Sequence, residues 1–498
     1  MVGFHIQILK QRRAGVLQHV SSLPTENLGH DAFKFVDFLA RTGATVWQTL
    51  PLNMPHGDGS PYQCLSAHAG NPAFICLDTL QQQGWLSEGD FRSTLDMEGL
   101  IQKAYTNFNQ LNIPQAQADF ARFCQRQSHW LDDFALFMAL RKQYQCACWH
   151  DWPAPLKLRQ ADAICQAQLD FAGEIAFIKF TQHLFFEQWH ALKAYANNQN
   201  IALFGDIPIF ISYDSADVWA QPELFKLDAD LNMTVVAGVP PDYFSETGQR
   251  WGNPHYRWDV MQADGFQWWL ARMRTQNAMF DMVRIDHFRG LEAAWEIPAN
   301  EATAINGAWV LAPGQALLQA IRENLPEVTL VAEDLGIITP EVDVLREAFE
   351  LPGMKILQFA FGGDDHNPYL PEQIGINSVV YTGTHDNDTT LGWFLNLSAE
   401  QKQPFYQYMQ QHLGVDESSV NMPFHLVEMA LDSNAQLAII PMQDILRLDG
   451  AHRMNTPGTV EHNWLWRFDW AQLSKEMEDD LTKAIQKYDR NPSLKAVV

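Results

Sequence analysis

Eight short apolar runs, separated by stretches with helical spacing, most constrain what this chain can fold into. They occupy residues 15–20, 45–50, 202–207, 282–286, 329–333, 355–359, 378–382 and 438–441. Each is nearly continuous in its hydrophobicity, the mark of a strand buried on both faces. Between the first two, Ala32, Phe35, Val36 and Leu39 recur at i, i+3, i+4 and i+7, which predicts a helix. After the fifth run, Thr339 reads as an N-cap with Pro340 at the first helical position. Repeated strand–helix units specify a parallel sheet, and eight of them specify a (β/α)8 barrel, the TIM-barrel form of the α/β class.

The chain has 498 residues, of which 47% are apolar. Length alone corresponds to roughly three domains, but barrels with insertions hold more residues as one unit. The expectation is a single catalytic barrel over residues 1–498. Two intervals are too long for simple strand–helix connections. Residues 52–200 carry helical spacing at Ile175, Ile178, Phe185, Trp189 and Leu192. Residues 208–281 carry a Gly/Pro-rich aromatic loop, VAGVPPDYFSETGQRWGNP. Both are expected as insertions at the C-terminal face, the first mostly helical and the second shaping a groove. A separate helical domain at about 85–170 is the alternative.

Carboxylates stand at the ends of four of these runs: Asp206 in ALFGDIPIF, Asp286 in VRIDHFRG, Glu333 in TLVAEDLG and Asp386 in VVYTGTHDND. Barrel enzymes place their sites at strand C-terminal ends. A lone strand-end acid is most often a cap or a structural ion pair, but four together point to sugar chemistry. Cleaving a glycosidic bond takes one ionised and one protonated carboxyl. Arg284 and Asp286 are two apart on one strand, so both project from the same face. The guanidinium favours an ionised Asp286. Glu333 follows Leu330, Val331 and Ala332, and desolvation there raises its pKa toward an acid's working range.

The charge balance agrees with a neutral substrate. Lys+Arg 34 against Asp+Glu 59 gives −25, which argues against a nucleic-acid groove and an anionic membrane surface. Aromatics reach 12%, a supply of flat rings for sugar C–H faces, although most rings are expected in the core. Six scattered cysteines show no CxxC or metal-ligand spacing, consistent with reduced thiols and a cytoplasmic setting. No secretory leader or membrane-spanning run is read in the sequence. His287, His385, Asp386 and Asp388 make a conceivable ligand set, but they lack the i, i+4 histidine spacing of a zinc helix. No metal and no cofactor are expected.

The longer motifs resemble those of the amylomaltase family, also called 4-alpha-glucanotransferases or disproportionating enzymes, related to the α-amylase clan. They are LQHVSSLP (17–24), SPYQ (60–63), SAHAGNP (66–72), GDIPIF (205–210), GVPPDYFSETGQRWGNP (238–254), RIDHFRG (284–290), AEDLG with ITPEV (332–342), YTGTHDNDT (381–389), and RMNTPGTV with NWLWR (453–467). The resemblance implies transfer of α-1,4-glucan segments between maltooligosaccharides by a retaining double displacement. Asp286 falls at the family's nucleophile, Glu333 at its acid/base and Asp386 at its transition-state stabiliser. Arg284 is implied to hold the nucleophile ionised, His385 to bind hydroxyls, and Asp206 to support the −1 sugar. Retention implies roughly 5–5.5 Å between the Asp286 and Glu333 carboxyls. Tyr243, Phe244 and Trp251 fall on an acceptor-side lid, and Ser60, Tyr62 and Asn455 on groove positions.

Two departures stand out. Gly59 separates Asp58 from Ser60, and His68 replaces a common aromatic. Both are expected in the substrate-contacting region, where they bear on donor or acceptor preference. Two other readings remain: a retaining α-glucan hydrolase with the same acids, and a non-catalytic glucan-binding barrel.

Overall fold

The computed structural model describes residues 5–241, 245–363, 366–459 and 461–492. Twelve strands are formed among them: β1 (Arg13–Leu17), β2 (Val46–Gln48), β3 (Ala202–Pro208), β4 (Val235–Val239), β5 (Gln249–Pro254), β6 (Met282–Asp286), β7 (Ala293–Pro298), β8 (Ala308–Leu311), β9 (Leu330–Ala332), β10 (Gly353–Ile356), β11 (Ser378–Tyr381) and β12 (Leu437–Pro441). Eight of these pair in the order β10-β11-β12-β1-β2-β3-β6-β9, and every pairing is parallel. Between the two ends of that order, the Ala332 amide donates to Pro352 O at 2.9 Å, which closes the ring. The fold is the (β/α)8 barrel that the eight apolar runs specify. All residues of β1, β2, β11 and β12 are buried, as strands wrapped by helices must be.

Strand ends differ from the sequence reading at most of the eight runs, and furthest at the C-terminal ends of β1 and β10. β1 stops at Leu17, and Val20–Ser22 form a 3-10 turn. β10 stops at Ile356, and Leu357–Phe359 turn in the same way. Apolarity marks burial, and Val20 and Leu357 are buried in these turns without being in strands, while Phe359 is exposed.

The 52–200 interval is mostly helical. Its two long members are Pro114–Gln143 and Ala172–Asn198. The second runs from the insertion into the barrel wall. Phe180 packs against Trp85 and Phe108 near its start, while Trp189 Nε1 donates to Met279 O at 2.8 Å further on. Two glutamines on this helix act as backbone substitutes. Gln182 both accepts from Gly70 N (2.8 Å) and donates to Gly70 O (2.9 Å), and Gln188 does the same for Cys76 (2.7 and 3.0 Å). The loop entering the insertion is thereby satisfied without a strand partner. No helix among the described residues is long and apolar enough to cross a membrane.

The second insertion is more ordered than a loop. β4 and β5 join β7 and β8 in a four-stranded antiparallel sheet, order β5-β4-β7-β8. Excursions after β3 and after β6 therefore build one wall together. Residue 490 reaches back to β1, where the Ala14 amide donates to Arg490 O at 3.2 Å. Arg490 is fully buried and donates to Leu431 O (2.6 Å), Ala435 O (2.8 Å), Ser433 O (2.7 Å), Ala430 O (3.3 Å) and Arg13 O (3.2 Å). It closes the exposed carbonyl end of the helix Phe424–Asp432 and ties it to β1. Arg490→Met keeps the apolar stem and strands these carbonyls; it is expected to cost about 3 kcal/mol, read as a fall of several degrees in melting temperature. An unchanged Tm contradicts this role.

Candidate active site

The site is built from neighbouring strands whose register places charge against charge. β3 and β6 pair with Asp206 opposite Arg284. Arg284 Nη1 donates to Asp206 Oδ2 at 2.6 Å, and its Nη2 donates to Asp286 Oδ1 at 2.8 Å. One guanidinium thus bridges two carboxylates through its two arms. Tyr62 Oη donates to the same Asp206 oxygen at 2.7 Å. Asp206 is itself 1% exposed and lies beneath the groove, reaching it only through Arg284 and Tyr62.

Glu333 follows β9, directly beside the end of β6. Its Oε2 accepts from His287 N at 2.6 Å and its Oε1 from Leu335 N at 2.8 Å. His287 is the residue after Asp286, so this bond sets the Glu333 carboxyl against the nucleophile candidate's own backbone. A positive φ of 53° at His287 belongs to the turn that presents this amide. Trp251 of β5 packs edge-on against the His287 ring, centroids 4.8 Å apart.

Asp386 closes the opposite side. Asn455 Nδ2 donates to its Oδ1 at 2.6 Å, Arg453 Nη2 donates to its carbonyl at 3.0 Å, and His385 Nε2 lies 3.4 Å from its Oδ2. The His385 ring stacks on Tyr62, 5.3 Å between centroids and 13° between planes. Burial lowers the His385 pKa, with Asp386 opposing, so the ring is neutral at pH 7.

Burial pushes the Asp286 and Glu333 carboxyls above the usual range. For Asp286 burial dominates; Arg284 opposes it, while Glu333, Asp206 and Asp386 add to the rise. The sequence reading credits Arg284 with keeping Asp286 charged. Arg284 does lower the Asp286 pKa, but burial outweighs it, and the guanidinium is shared with Asp206. Glu333 is raised chiefly by burial, against Arg284 and the amides of Leu335 and His287.

A cleft of about 1010 Å³ is lined by Asp286, Glu333 and Asp386 together. Ser60, Tyr62, Arg284, Trp251 and Asn455 line it too. Tyr243 and Phe244 lie outside the described residues. His68 does not line the cleft, contrary to expectation. It is buried, stacks on Trp130 of the helical insertion at 5.7 Å, and its Nδ1 is 2.8 Å from Thr275 Oγ1. Its place is the seam between insertion and barrel, where a flat polar ring satisfies Thr275. Gly59 sits in an exposed turn at φ 74° beside the groove residues Asp58 and Ser60.

Sequence reasoning did not single out Arg453, Trp464, Gln63, Asn253 or the His287 amide. Gln63 Nε2 donates to Asn253 Oδ1 at 3.1 Å and Ser212 Oγ donates to Gln63 Oε1 at 2.8 Å, joining the loop before the helical insertion to β5. All but Ser212 lie inside motifs already named, but a motif does not say which side chain turns to the groove. Among the described residues no group of three or more His, Cys, Asp or Glu side chains is gathered to hold a metal ion.

Comparison with known proteins agrees with this geometry. The family model described as 4-alpha-glucanotransferase matches residues 18–473. A 4-alpha-glucanotransferase of Thermus thermophilus is 47% identical over 482 residues, covering 93% of this chain and 96% of its own. One from Synechocystis sp. is 44% identical, covering 97% and 99%. Among solved structures, an amylomaltase from Streptococcus agalactiae in complex with acarbose superposes with a TM-score of 0.91 at 36% identity, covering 96% of this chain and all of that one. A barrel of this order, a cleft with three converging carboxyls, and relatives matched along nearly their whole length place this chain in the 4-alpha-glucanotransferase family.

Proposed function

We propose that the protein transfers α-1,4-glucan segments between maltooligosaccharides by a retaining double displacement. The observation that carries this reading is the placement of Asp286, Glu333 and Asp386 around one cleft. Asp286 attacks the anomeric carbon as Glu333 gives its proton to the departing glycosidic oxygen. A covalent glucosyl–Asp286 ester results, and the shortened chain leaves with the proton. Glu333, now ionised, takes the proton of an incoming sugar 4-hydroxyl, which displaces Asp286 and restores the α linkage. Asp386 accepts hydrogen bonds from sugar hydroxyls as the ring flattens.

The pair divides its charge by contact. Asp286 keeps a side-chain exposure of 30% and takes the Arg284 bond. Glu333 is 8% exposed and has no ion pair among the described residues. Negative charge therefore settles on Asp286 and the proton on Glu333, whose oxygens each keep a second lone pair beside the amides they accept.

Transfer is favoured over hydrolysis by the β4–β5 excursion. Val239, Pro240 and Trp251 bring apolar surface to the cleft, which disfavours water at the intermediate more than it disfavours a sugar with an apolar face. The six cysteines are unpaired, which supports a reducing, cytoplasmic setting.

Pure maltotriose tests the activity: the expected products are glucose and a ladder of longer chains, whereas glucose and maltose alone would mark a hydrolase. Asp286→Asn is expected to lose orders of magnitude in turnover while still binding glucan. Glu333→Gln is expected to slow donors with poor leaving groups far more than activated aryl glycosides; equal losses on both would assign the proton to another residue.

The pH profile follows from the two raised pKa values. Activity falls as pH drops through the Asp286 pKa, because the nucleophile is neutralised. It falls as pH rises through the Glu333 pKa, because the acid is lost. Both limbs of kcat/KM should lie above the ordinary carboxylate pKa of about 4. Arg284→Lys removes the fork, and the acidic limb is expected to move to higher pH. A limb that stays in place would separate Arg284 from the ionisation of Asp286.

A further inference from the structure

Beside the three acids the cleft is lined by Leu335, Gly336 and Ile337, the loop leaving Glu333, and by an aromatic ring with no part in the chemistry above. Trp309 stands on β8, the edge strand of the antiparallel sheet, directly across from Trp295 of β7. It is 39% exposed and lines the same cleft as Glu333 and Ile337. An exposed indole on an edge strand has rotamer freedom to lose on binding, but this ring is already fixed. The Arg289 guanidinium carbon lies 3.7 Å from its centroid, within cation–π range. Trp295 meets it edge to face, centroids 5.3 Å apart and planes at 64°.

Arg289 is fixed in turn. It is buried, its Nη1 donates to Ile337 O at 2.5 Å, and its Nη2 lies 3.8 Å from a Glu292 carboxylate oxygen. A buried cation backs one face of the indole, and the exposed remainder of the ring opens on the cleft. A flat, part-exposed ring held in advance suits the C–H face of a glucose unit, and it binds without the cost of ordering.

The side of the cleft follows from Glu333. A general acid stands on the leaving-group side of the scissile bond, which is also where the acceptor enters. Ile337 lies on the loop leaving Glu333 and is tied to Arg289, so Trp309 belongs to the acceptor side. Trp251 packs on His287, next to the reacting centre. Trp309 packs instead on Arg289, three residues beyond Asp286, and among the described residues its ring meets none that is bonded to Asp286 or Glu333, which sets it apart from Trp251.

We infer that Trp309, backed by Arg289, is a distal acceptor-side sugar platform that gives acceptors long enough to reach it an advantage over short ones. The inference rests on the glucan-transfer reading above and deepens it. The test is a competition in which the enzyme, supplied with maltotriose as donor, partitions transferred glucan between free glucose and reducing-end-labelled maltopentaose. Trp309→Ala is expected to lower the preference for maltopentaose over glucose about tenfold, and Trp309→Phe, which keeps a ring, to retain most of it. An unchanged preference in Trp309→Ala overturns the platform, and so does an equal loss towards both acceptors, which would indicate damage to the reacting centre. Absence of transfer by the unaltered enzyme would overturn the activity itself and this inference with it.

Discussion

One guanidinium shared by two carboxylates is the constraint on which the rest of the site depends. Arg284 is 4% exposed, and so are few charges that lack several partners. Its two arms reach Asp206 below and Asp286 above, and the β3–β6 register makes both reachable without bending either strand. Removing Asp206 would leave a buried cation free to turn wholly to Asp286 and depress its pKa. Removing Arg284 would leave two uncompensated buried acids, a change that costs several kcal/mol in buried pairs generally, about 3–5. The charge on Asp286 therefore depends in part on Asp206, which does not line the cleft. Tyr62 completes the arrangement, bonding to Asp206 on one side and stacking on His385 on the other, so that the two halves of the cleft share a frame.

The barrel supplies this frame, and the excursions supply what distinguishes a glucan groove from any other barrel mouth. The helical insertion contributes none of the three acids. It is anchored by Gln182 and Gln188 pairing with backbone at Gly70 and Cys76, and by the buried seam of His68, Trp130 and Thr275. Anchoring matters because Ser60 and Tyr62 lie on the segment between β2 and that seam. A loop tethered at both ends can hold Tyr62 against Asp206 to hydrogen-bond tolerance. The antiparallel sheet does the corresponding work on another wall of the cleft, carrying Trp251 and Trp309 on strands rather than on free loops.

What the sequence made legible was set by burial on two faces. The eight barrel strands carry unbroken apolar runs, so they and the acids beside them could be read directly. Asp286 is the last residue of β6, Glu333 the first after β9. The antiparallel sheet was not legible. β5 is QRWGNP, with a glycine and a proline, and β8 is AWVL with three of four residues exposed. Such strands exist because β4 and β7 hold them, an interaction between segments about sixty residues apart that no local pattern records. Gly238 shows the same dependence: a Cβ there would lie 2.1 Å from Gln249 O, a contact defined only by the partner strand. His68 was misplaced for a related reason. A motif position gives the loop, whereas the direction of a side chain is decided by what packs on the other side, here Trp130 from a distant helix.

The charge left over in the cleft argues for what the site binds most tightly. Arg284 is divided between Asp206 and Asp286, Arg453 meets Asp386 only at its backbone carbonyl, and the neighbouring His385 and His287 are kept neutral by burial. A neutral maltooligosaccharide gains little from that surplus of negative charge. The oxocarbenium-like transition state, which carries positive charge at the anomeric centre, gains a great deal, and it does so inside a partly dry cleft where the interaction is weakly screened. Incomplete neutralisation is then a form of differential binding. A second cation beside Asp286 would lower its pKa and tidy the ground state. It would also cancel part of the field that the flattened ring needs, so the sharing of Arg284 between two acids serves catalysis better than a dedicated partner for each.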